Sequence, residues 1–170
     1  KSNGYELNDT RDVYTWISEN YNVKIKSRDK FKRGILSILY GANERTSKNI
    51  LKCSFSDIKK IRSFFMIDDL HNALIAQHEK DGYIFNYYGR PIKSAANPVN
   101  YWIQSSAVDF CSLGFLNLIK EYNLKPCFFI HDSMTVTVNK NILSDVLKIN
   151  KMHEPVSNLE INVETKLLSE

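Results

Sequence analysis

The chain has 170 residues, of which 43% are hydrophobic, so it can bury a core; this argues against disorder and fits one domain or a piece of a larger one. A net charge of +4 tolerates an anionic partner without identifying one. The three cysteines lack C-x-x-C spacing and the apolar runs are too short for a membrane span or a signal peptide. We therefore predict a soluble, cytoplasmic protein with no disulfide framework, no zinc site and no membrane partner.

A first helix is predicted to run to about Tyr21, with Asp9 or Thr10 as its N-cap. Its apolar residues recur at helical spacing, which indicates a packed face. We assign this helix no chemistry.

A second predicted helix, residues 28–40, carries two cations on one face. Ser27 is a suitable N-cap and Gly41 the expected terminator. At 1.5 Å rise per residue, Arg28 and Lys32 lie about 6 Å apart along the axis, and two neighbouring phosphates of a triphosphate can bridge that separation. The alternative is an ordinary solvated face. The residues that recur every four positions are Arg28, Lys32, Leu36 and Tyr40.

The middle of the chain predicts two more helices and a hairpin. A short helix is expected over about residues 45–51. Ser56 is the predicted N-cap of a long helix over 56–79, which Gly82 closes. Residues 83–92 are aromatic and β-branched with a glycine break, which predicts a hairpin or a sharply bent strand.

The C-terminal part predicts helix, hairpin, helix and strand. Pro98 precedes a helix over about 100–122, and two apolar runs within 125–140 form a hairpin with a polar tip. A charged helix over 141–151 and a strand over 159–165 finish the chain. This order of elements predicts an α+β fold rather than alternating parallel units.

Asp132 is the strongest single candidate for a catalytic residue. It lies at the join of two apolar strands, where a carboxylate must be solvated, hydrogen-bonded or neutralised by a cation. An ordinary turn aspartate beside a half-exposed turn histidine, His131, is the alternative.

Asn100 and Gln104 form a candidate amide pair. They are one helical turn apart, so both amides project from one side of the predicted helix and can reach one groove of a duplex. Amides donate to and accept from minor-groove base edges without strong sequence choice. Ordinary polar residues at the start of a helix would look the same.

Three segments, in this order and spacing, resemble the C-terminal part of a family A DNA polymerase. The resemblance covers nearly all of the chain from about Asp12. It implies a helical fingers subdomain over residues 1–92 and a C-terminal palm over 93–170, which holds part of the antiparallel palm sheet of a right-hand polymerase. The segments are RDKFKRGILSILYGA from Arg28, NYWIQSSAVD from Asn100 and IHDS from Ile130.

The resemblance implies nucleotide transfer from dNTPs to a primer 3′ end. Arg28 and Lys32 would hold the triphosphate, and Lys32 would donate a proton to the leaving pyrophosphate. Asp132 would bind two Mg²⁺ ions, which it shares with an aspartate outside this chain. His131 would lie near the primer terminus.

The resemblance also implies contacts with the incoming base and with primer-template DNA. Tyr40 would pack beside the templating base, Gly41 would allow the close turn there, and Arg90 would touch the template backbone unless it is only a surface arginine. Leu36 stands where the family mostly has Phe or Tyr against the incoming sugar, so apolar contact is kept but the flat ring is lost. The residues implied to contact DNA are Tyr40, Gly41, Arg90, Asn100, Gln104 and His131.

One departure from the family keeps other functions open. Ser133 stands where the family has a glutamate, and His-Asp-Ser is the tip found in the related single-subunit RNA polymerases. An RNA polymerase fragment is therefore an alternative. A non-catalytic, nucleic-acid-binding subunit that keeps the fold is another.

The family's first metal-binding aspartate lies upstream of the helix over 28–40, in a segment of the type Asp-Tyr-Ser-x-Ile-Glu. No such segment precedes Arg28 in this sequence. We therefore expect the chain to be inactive alone, with an N-terminal portion or a separate subunit supplying that aspartate, the remaining palm and the thumb. The compact form suggests a phage or plasmid enzyme that acts in a bacterial or phage-infected cell.

Overall fold

A computed structural model of the chain describes residues 12–21, 23 and 27–168. These residues form seven α-helices, six β-strands and a 3₁₀ turn at Lys140–Ile142, which confirms the predicted α+β class. The helices are α1 (Val13–Tyr21), α2 (Arg28–Leu39), α3 (Glu44–Leu51), α4 (Phe55–Phe64), α5 (Ile67–Asp81), α6 (Pro98–Tyr122) and α7 (Leu143–Val146). The strands are β1 (Ile84–Phe85), β2 (Pro91–Ile92), β3 (Lys125–Ile130), β4 (Ser133–Thr137), β5 (Lys151–Glu154) and β6 (Leu159–Asn162).

The chain divides into two compact units, Lys1–Ile103 and Gln104–Glu170, and the boundary lies inside α6. In the described residues the strands form three separate antiparallel pairs, β1 with β2, β3 with β4, and β5 with β6. The division into fingers over 1–92 and palm over 93–170 stays a prediction. None of the helices in the described part combines the length and the apolar character that a membrane span needs.

Helices α1 to α5 build the core of the first unit. On α2, the buried residues fall at positions i, i+3, i+4 and i+7, so one stripe of the helix faces the core. Fully buried isoleucines from α1, α2 and α4 meet in that core. The buried residues of α2 are Phe31, Gly34, Ile35 and Ile38.

The predicted cap of α1 is only partly tested. Asp9 and Thr10 lie outside the described residues. Asp12 acts as an N-cap of α1, because its carboxylate accepts hydrogen bonds from the backbone N–H groups of Tyr14 (2.9 Å) and Thr15 (3.2 Å).

The single long helix predicted over 56–79 is wrong, because the chain breaks it into α4 and α5. Met66 takes a left-handed backbone conformation (φ 52°) between them. The predicted N-cap, Ser56, is also wrong. Ser54 caps α4 in a reciprocal box, in which its hydroxyl accepts from the Asp57 N–H (3.1 Å) and the Asp57 carboxylate accepts from the Ser54 N–H (3.1 Å).

Gly34 allows α2 and α3 to approach closely, because a Cβ at this position would overlap the side chain of Leu51. Replacing Gly34 with valine is expected to lower the free energy of unfolding of the first unit by about 1–3 kcal/mol. Urea denaturation followed by circular dichroism measures this change. The control is Arg33→Val on the exposed side of the same helix, with an expected change of about 0.5 kcal/mol or less. If both variants lost the same free energy of unfolding, the loss would be due to the helix propensity of valine and not to overlap with Leu51.

The second unit packs the later part of α6 against the β3–β4 and β5–β6 hairpins. Its small core contains Phe115, Leu118 and Met152. Gly114 makes room for β5, since a Cβ there would lie 2.6 Å from the Met152 sulfur. Beyond β6, the Val163 N–H donates to Asn150 O (2.9 Å), so the final segment stays paired.

The charged helix predicted over 141–151 is mostly wrong. Only the four residues of α7 are α-helical there, and the chain then turns into β5, whose Glu154 pairs with Leu159. Glu154 is fully buried, and its carboxylate accepts from the Val156 N–H (2.7 Å) and the Ser157 N–H (2.6 Å). Tertiary burial and this turn outweigh the helical character of the segment.

Candidate nucleotide and nucleic-acid site

The cationic face of α2 forms as the sequence predicts. Arg28 and Lys32 are one turn apart and both are exposed, whereas the buried stripe occupies another side of the helix. Ser27 holds the N-cap position, but its side chain makes no cap hydrogen bond. The face therefore offers two positive charges on a rigid element anchored by its apolar side.

Tyr14 supports Arg28 and was missed by the sequence analysis. The Arg28 guanidinium carbon lies 5.5 Å from the centre of the Tyr14 ring, in a cation–π contact. That ring in turn meets Phe31 edge-on at 6.3 Å. Burial raises the pKa of the Tyr14 hydroxyl, and the positive charge of Arg28 opposes that rise.

Asp12 adds a negative charge near the same guanidinium. Burial raises the pKa of Asp12, but hydrogen bonds from Thr15 and Tyr14 and the charge of Arg28 outweigh it and lower the pKa overall. Arg28 thus contacts the Tyr14 ring of α1 and lies within the electrostatic influence of Asp12, just before that helix.

The end of α2 exposes an aromatic residue and then turns sharply. Leu36 is half-buried, and Tyr40 at the C-cap is 36% exposed. The Tyr40 N–H donates to Leu36 O (2.9 Å). Gly41 follows with φ +79°, the left-handed conformation that suits a glycine terminator, as predicted.

The β1–β2 hairpin carries Arg90 at its tip, where the side chain is exposed. The loop is organised by the buried side chain of Asn86, whose Oδ1 accepts from the N–H groups of Tyr88 (3.0 Å) and Arg90 (2.8 Å). Gly89 supplies the positive φ (+79°) that the turn requires.

Asn100 and Gln104 both lie in α6, as predicted, with Asn100 in the first unit and Gln104 in the second. Gln104 is exposed. The Asn100 side-chain oxygen is buried and, among the described residues, has no hydrogen-bond partner.

Asp132 lies at the tip of the β3–β4 hairpin, in a two-residue loop that is closed by the pairing of Ile130 with Ser133. His131 and Asp132 are both exposed, and His131 takes φ +52°. The Ser133 hydroxyl donates to Ile130 O (2.9 Å), so the residue that replaces the expected glutamate closes the turn.

A cavity of about 610 Å³ lies in the second unit beside this tip. Cys111 lines it together with Asp132 and apolar residues of α6 and β4. Burial, and secondarily the negative charge of Asp132, raise the pKa of the Cys111 thiol. This cysteine is accordingly a poor nucleophile at neutral pH.

The Asp132 carboxylate has the hard oxygen donors that Mg²⁺ prefers. Within the described residues, no group of three or more His, Cys, Asp or Glu side chains is arranged to hold a metal ion. A single exposed carboxylate fits as one ligand of a Mg²⁺ site, but it does not form a two-ion site by itself.

Neither a scan of protein-family models nor a search of curated protein sequences gave a match. A comparison with solved structures did match. The POL domain of Pol1 from M. smegmatis, solved in complex with DNA primer-template and dNTP, aligns with a TM-score of 0.58 and 19% sequence identity. The chain shares the fold of part of that polymerase domain.

The structural alignment covers most of this chain but only a small part of the POL domain chain. It covers 79% of this chain but only 29% of the POL domain chain. This confirms the α+β fold predicted from the polymerase resemblance, with helices and small antiparallel sheets. The candidate cations lie on α2 of the first unit, and the candidate carboxylate lies at the tip of the β3–β4 hairpin of the second unit.

Proposed function

We propose that this chain is part of a template-directed DNA polymerase of family A type, which transfers nucleotides from dNTPs to a primer 3′ end. The fold shared with the Pol1 POL domain over 79% of the chain is the observation that carries this proposal. The candidate residues support it, because they lie on rigid elements in the order in which the polymerase motifs occur.

The triphosphate of the incoming dNTP binds along α2. Arg28, held against Tyr14, forms charge-assisted hydrogen bonds with phosphate oxygens. Lys32, exposed one turn further on, binds the neighbouring phosphate and gives a proton to the leaving pyrophosphate. Leu36 and Tyr40 continue toward the sugar and base.

Asp132 binds the metal ions of the reaction through its exposed carboxylate. Two Mg²⁺ ions, when bound, activate the primer 3′ hydroxyl and stabilise the leaving pyrophosphate. Asp132 lies in the two-residue tip that the pairing of Ile130 with Ser133 closes. In this proposal His131, beside it, lies near the primer terminus.

Residues of each unit contribute contacts to primer-template DNA in this proposal. Tyr40 packs beside the templating base, and Gly41 keeps the turn after it free of side-chain bulk. Arg90 binds the template backbone. The amides of Asn100 and Gln104 donate to minor-groove acceptors, which both A·T orientations present.

The second metal-binding aspartate belongs to a segment outside these 170 residues, either an N-terminal portion or a separate subunit. Strand β3 supports this proposal, because three consecutive apolar residues on it are exposed: Phe128 (51%), Phe129 (44%) and Ile130 (53%). In the described residues β3 pairs only with β4. An apolar strand of this kind requires a covering element, and the remaining palm would supply one.

Primer extension tests this proposal. The purified chain is incubated with primer-template, Mg²⁺ and dNTPs, alone and together with the segment that carries the remaining palm and thumb. We expect no extension by the chain alone and template-dependent extension by the assembled protein, because the chemistry needs carboxylates from both parts.

Full extension by the isolated chain would show that the second aspartate is not required from outside. Failure of the assembled protein to extend any primer would contradict the polymerase function itself. Primer-template binding is measured in the same samples by fluorescence anisotropy, so that a loss of chemistry is distinguished from a loss of binding.

Ser133 favours a second candidate, a single-subunit RNA polymerase. The serine hydroxyl closes the turn and supplies no carboxylate at the tip. Incorporation of rNTPs in preference to dNTPs by the assembled protein would support RNA synthesis, and the reverse preference would support DNA synthesis.

A further inference from the structure

The turn between α3 and α4 exposes an aromatic ring in contact with a cation. Phe55, the first residue of α4, is 44% exposed, and the Lys48 ammonium of α3 lies 4.2 Å from the centre of its ring. This cation–π contact joins the two helices. The side of α3 that carries Lys48 and the start of α4 therefore belong to one surface.

Further cations lie on the same sides of both helices. Arg45 precedes Lys48 by three residues and Lys52 follows it by four, so the three share one side of α3. The Lys52 N–H donates to Lys48 O (2.7 Å). Lys59 lies one turn after Phe55 on α4. Arg45, Lys52 and Lys59 are exposed, and in the described part of the chain none of the three is in an ion pair. We call Arg45, Lys48, Lys52, Phe55 and Lys59 the α3–α4 basic surface.

Positive charge exceeds negative charge across this part of the chain. Residues 28–69 hold ten Lys or Arg and five Asp or Glu, a net charge of +5, whereas the rest of the chain sums to −1. Asp57 is engaged in the capping box of α4, and Asp68 is paired with Arg62. Glu44 is half-buried in the first turn of α3. The surface therefore keeps an excess of positive charge, which suits a polyanion.

We propose that the α3–α4 basic surface binds single-stranded DNA, with Phe55 against an unpaired base and the cations on the phosphates that flank it. This inference rests on the proposed polymerase function for the choice of DNA. Cations that follow a backbone and a ring that stacks on a base are the groups that bind single strands without sequence choice. A base inside a duplex does not offer its face, so the exposed ring favours an unpaired strand. The carboxylates of an acidic polypeptide would use the cations alone.

The test measures binding of the chain to a fluorophore-labelled oligothymidylate and to a labelled blunt duplex by fluorescence anisotropy. We expect Phe55→Ala to weaken oligothymidylate binding by about tenfold, the order expected for the loss of one base–aromatic stack, and to leave duplex binding unchanged. Phe55→Tyr keeps the ring and should retain the affinity. Tyr83→Ala is the matched control, because Tyr83 is 43% exposed in the same unit and lies outside this surface. It should change neither affinity.

Salt dependence tests the phosphate contacts. Lys59→Gln should make the slope of log affinity against log salt concentration shallower by about 0.7, the value for one phosphate contact on a single strand. Lys80→Gln removes the same charge from an exposed position near the end of α5 and should leave the slope unchanged. Thermal unfolding by circular dichroism checks that all variants are folded.

A labelled polyglutamate peptide distinguishes nucleic acid from an acidic polypeptide as the partner. We expect the unchanged chain to bind it more weakly than oligothymidylate, with no further loss in Phe55→Ala. Equal affinity for the two polyanions, or an equal loss for both in Phe55→Ala, would assign the surface to an acidic polypeptide and overturn the proposal.

Two other results would also overturn it: unchanged affinity of Phe55→Ala for oligothymidylate, and failure of the unchanged chain to bind oligothymidylate. Primer extension by the assembled protein tests the polymerase function separately. Extension that persists in Phe55→Ala together with unchanged oligothymidylate binding would therefore reject this surface while leaving the polymerase proposal intact.

Discussion

Under the proposed polymerase function, replacing Asp132 with alanine is expected to abolish primer extension by the assembled protein. The rate should fall by about 10³-fold or more, because the proposed ligand to the metal ions is lost and metal-ion stabilisation of the reacting charges supplies several kcal/mol. Binding of primer-template should change little, since the residue lies in an exposed turn where the carboxylate is not required for packing. Single-turnover extension and fluorescence anisotropy measure the two quantities separately.

Asp145→Ala is the matched control for this prediction. Asp145 is an exposed carboxylate of the same unit, on α7, and its ion pair with Lys148 (3.6 Å) joins residues three apart on the surface. Its loss should leave extension unchanged. Activity that survives in Asp132→Ala would contradict the metal-binding role and would favour the non-catalytic, nucleic-acid-binding subunit.

The local features of α2 could be predicted from the sequence because they depend on residues close together in the chain. The buried stripe of α2 follows from the spacing of its apolar residues. The end of the helix follows from Gly41, a residue that readily takes the left-handed φ observed there. The exposed pair of Arg28 and Lys32 follows from the same periodicity. Likewise, the β3–β4 turn follows from two apolar runs around a polar tip.

The errors occurred where distant contacts decide the structure. Apolar residues continue at helical spacing from Ile58 to Leu74, so periodicity gives no sign of the break at Met66. Strand β5 depends on partners in β6 and on the burial of Met152 against α6, which the residues of 141–151 do not reveal. Pairing partners of this kind are set by the tertiary fold.

The contact of Tyr14 with Arg28 was missed for a similar reason. It joins two helices, and a tyrosine on a packed helix is more often part of the core. A tyrosine followed by a cationic helix gives no local signal of stacking. The predicted roles of Asp132, His131 and the DNA-contacting residues came from motif order, and they stay predictions until the variants are measured.

Removing the cations of α2 one at a time is expected to separate chemistry from binding. Lys32→Ala should lower kcat by about 10²-fold or more, because the proposed general-acid transfer to pyrophosphate is lost. Arg28→Ala should mainly raise the KM for dNTP, because Arg28 is assigned phosphate binding without proton transfer. Steady-state kinetics of the assembled protein on a primer-template with one templating base gives both constants.

Lys30→Ala and Arg33→Ala are the controls, since each makes the same chemical change at an exposed position of α2 away from the face of Arg28 and Lys32. They keep the net charge equal to that of the test variants. If nucleotide binding depended only on the total positive charge of the helix, the two control variants would show the same kinetic defects as Arg28→Ala and Lys32→Ala. The defects of all four variants would then become smaller as salt is raised. Defects confined to Arg28 and Lys32 would instead require a defined face that positions the triphosphate, with the proton donor one turn beyond the guanidinium.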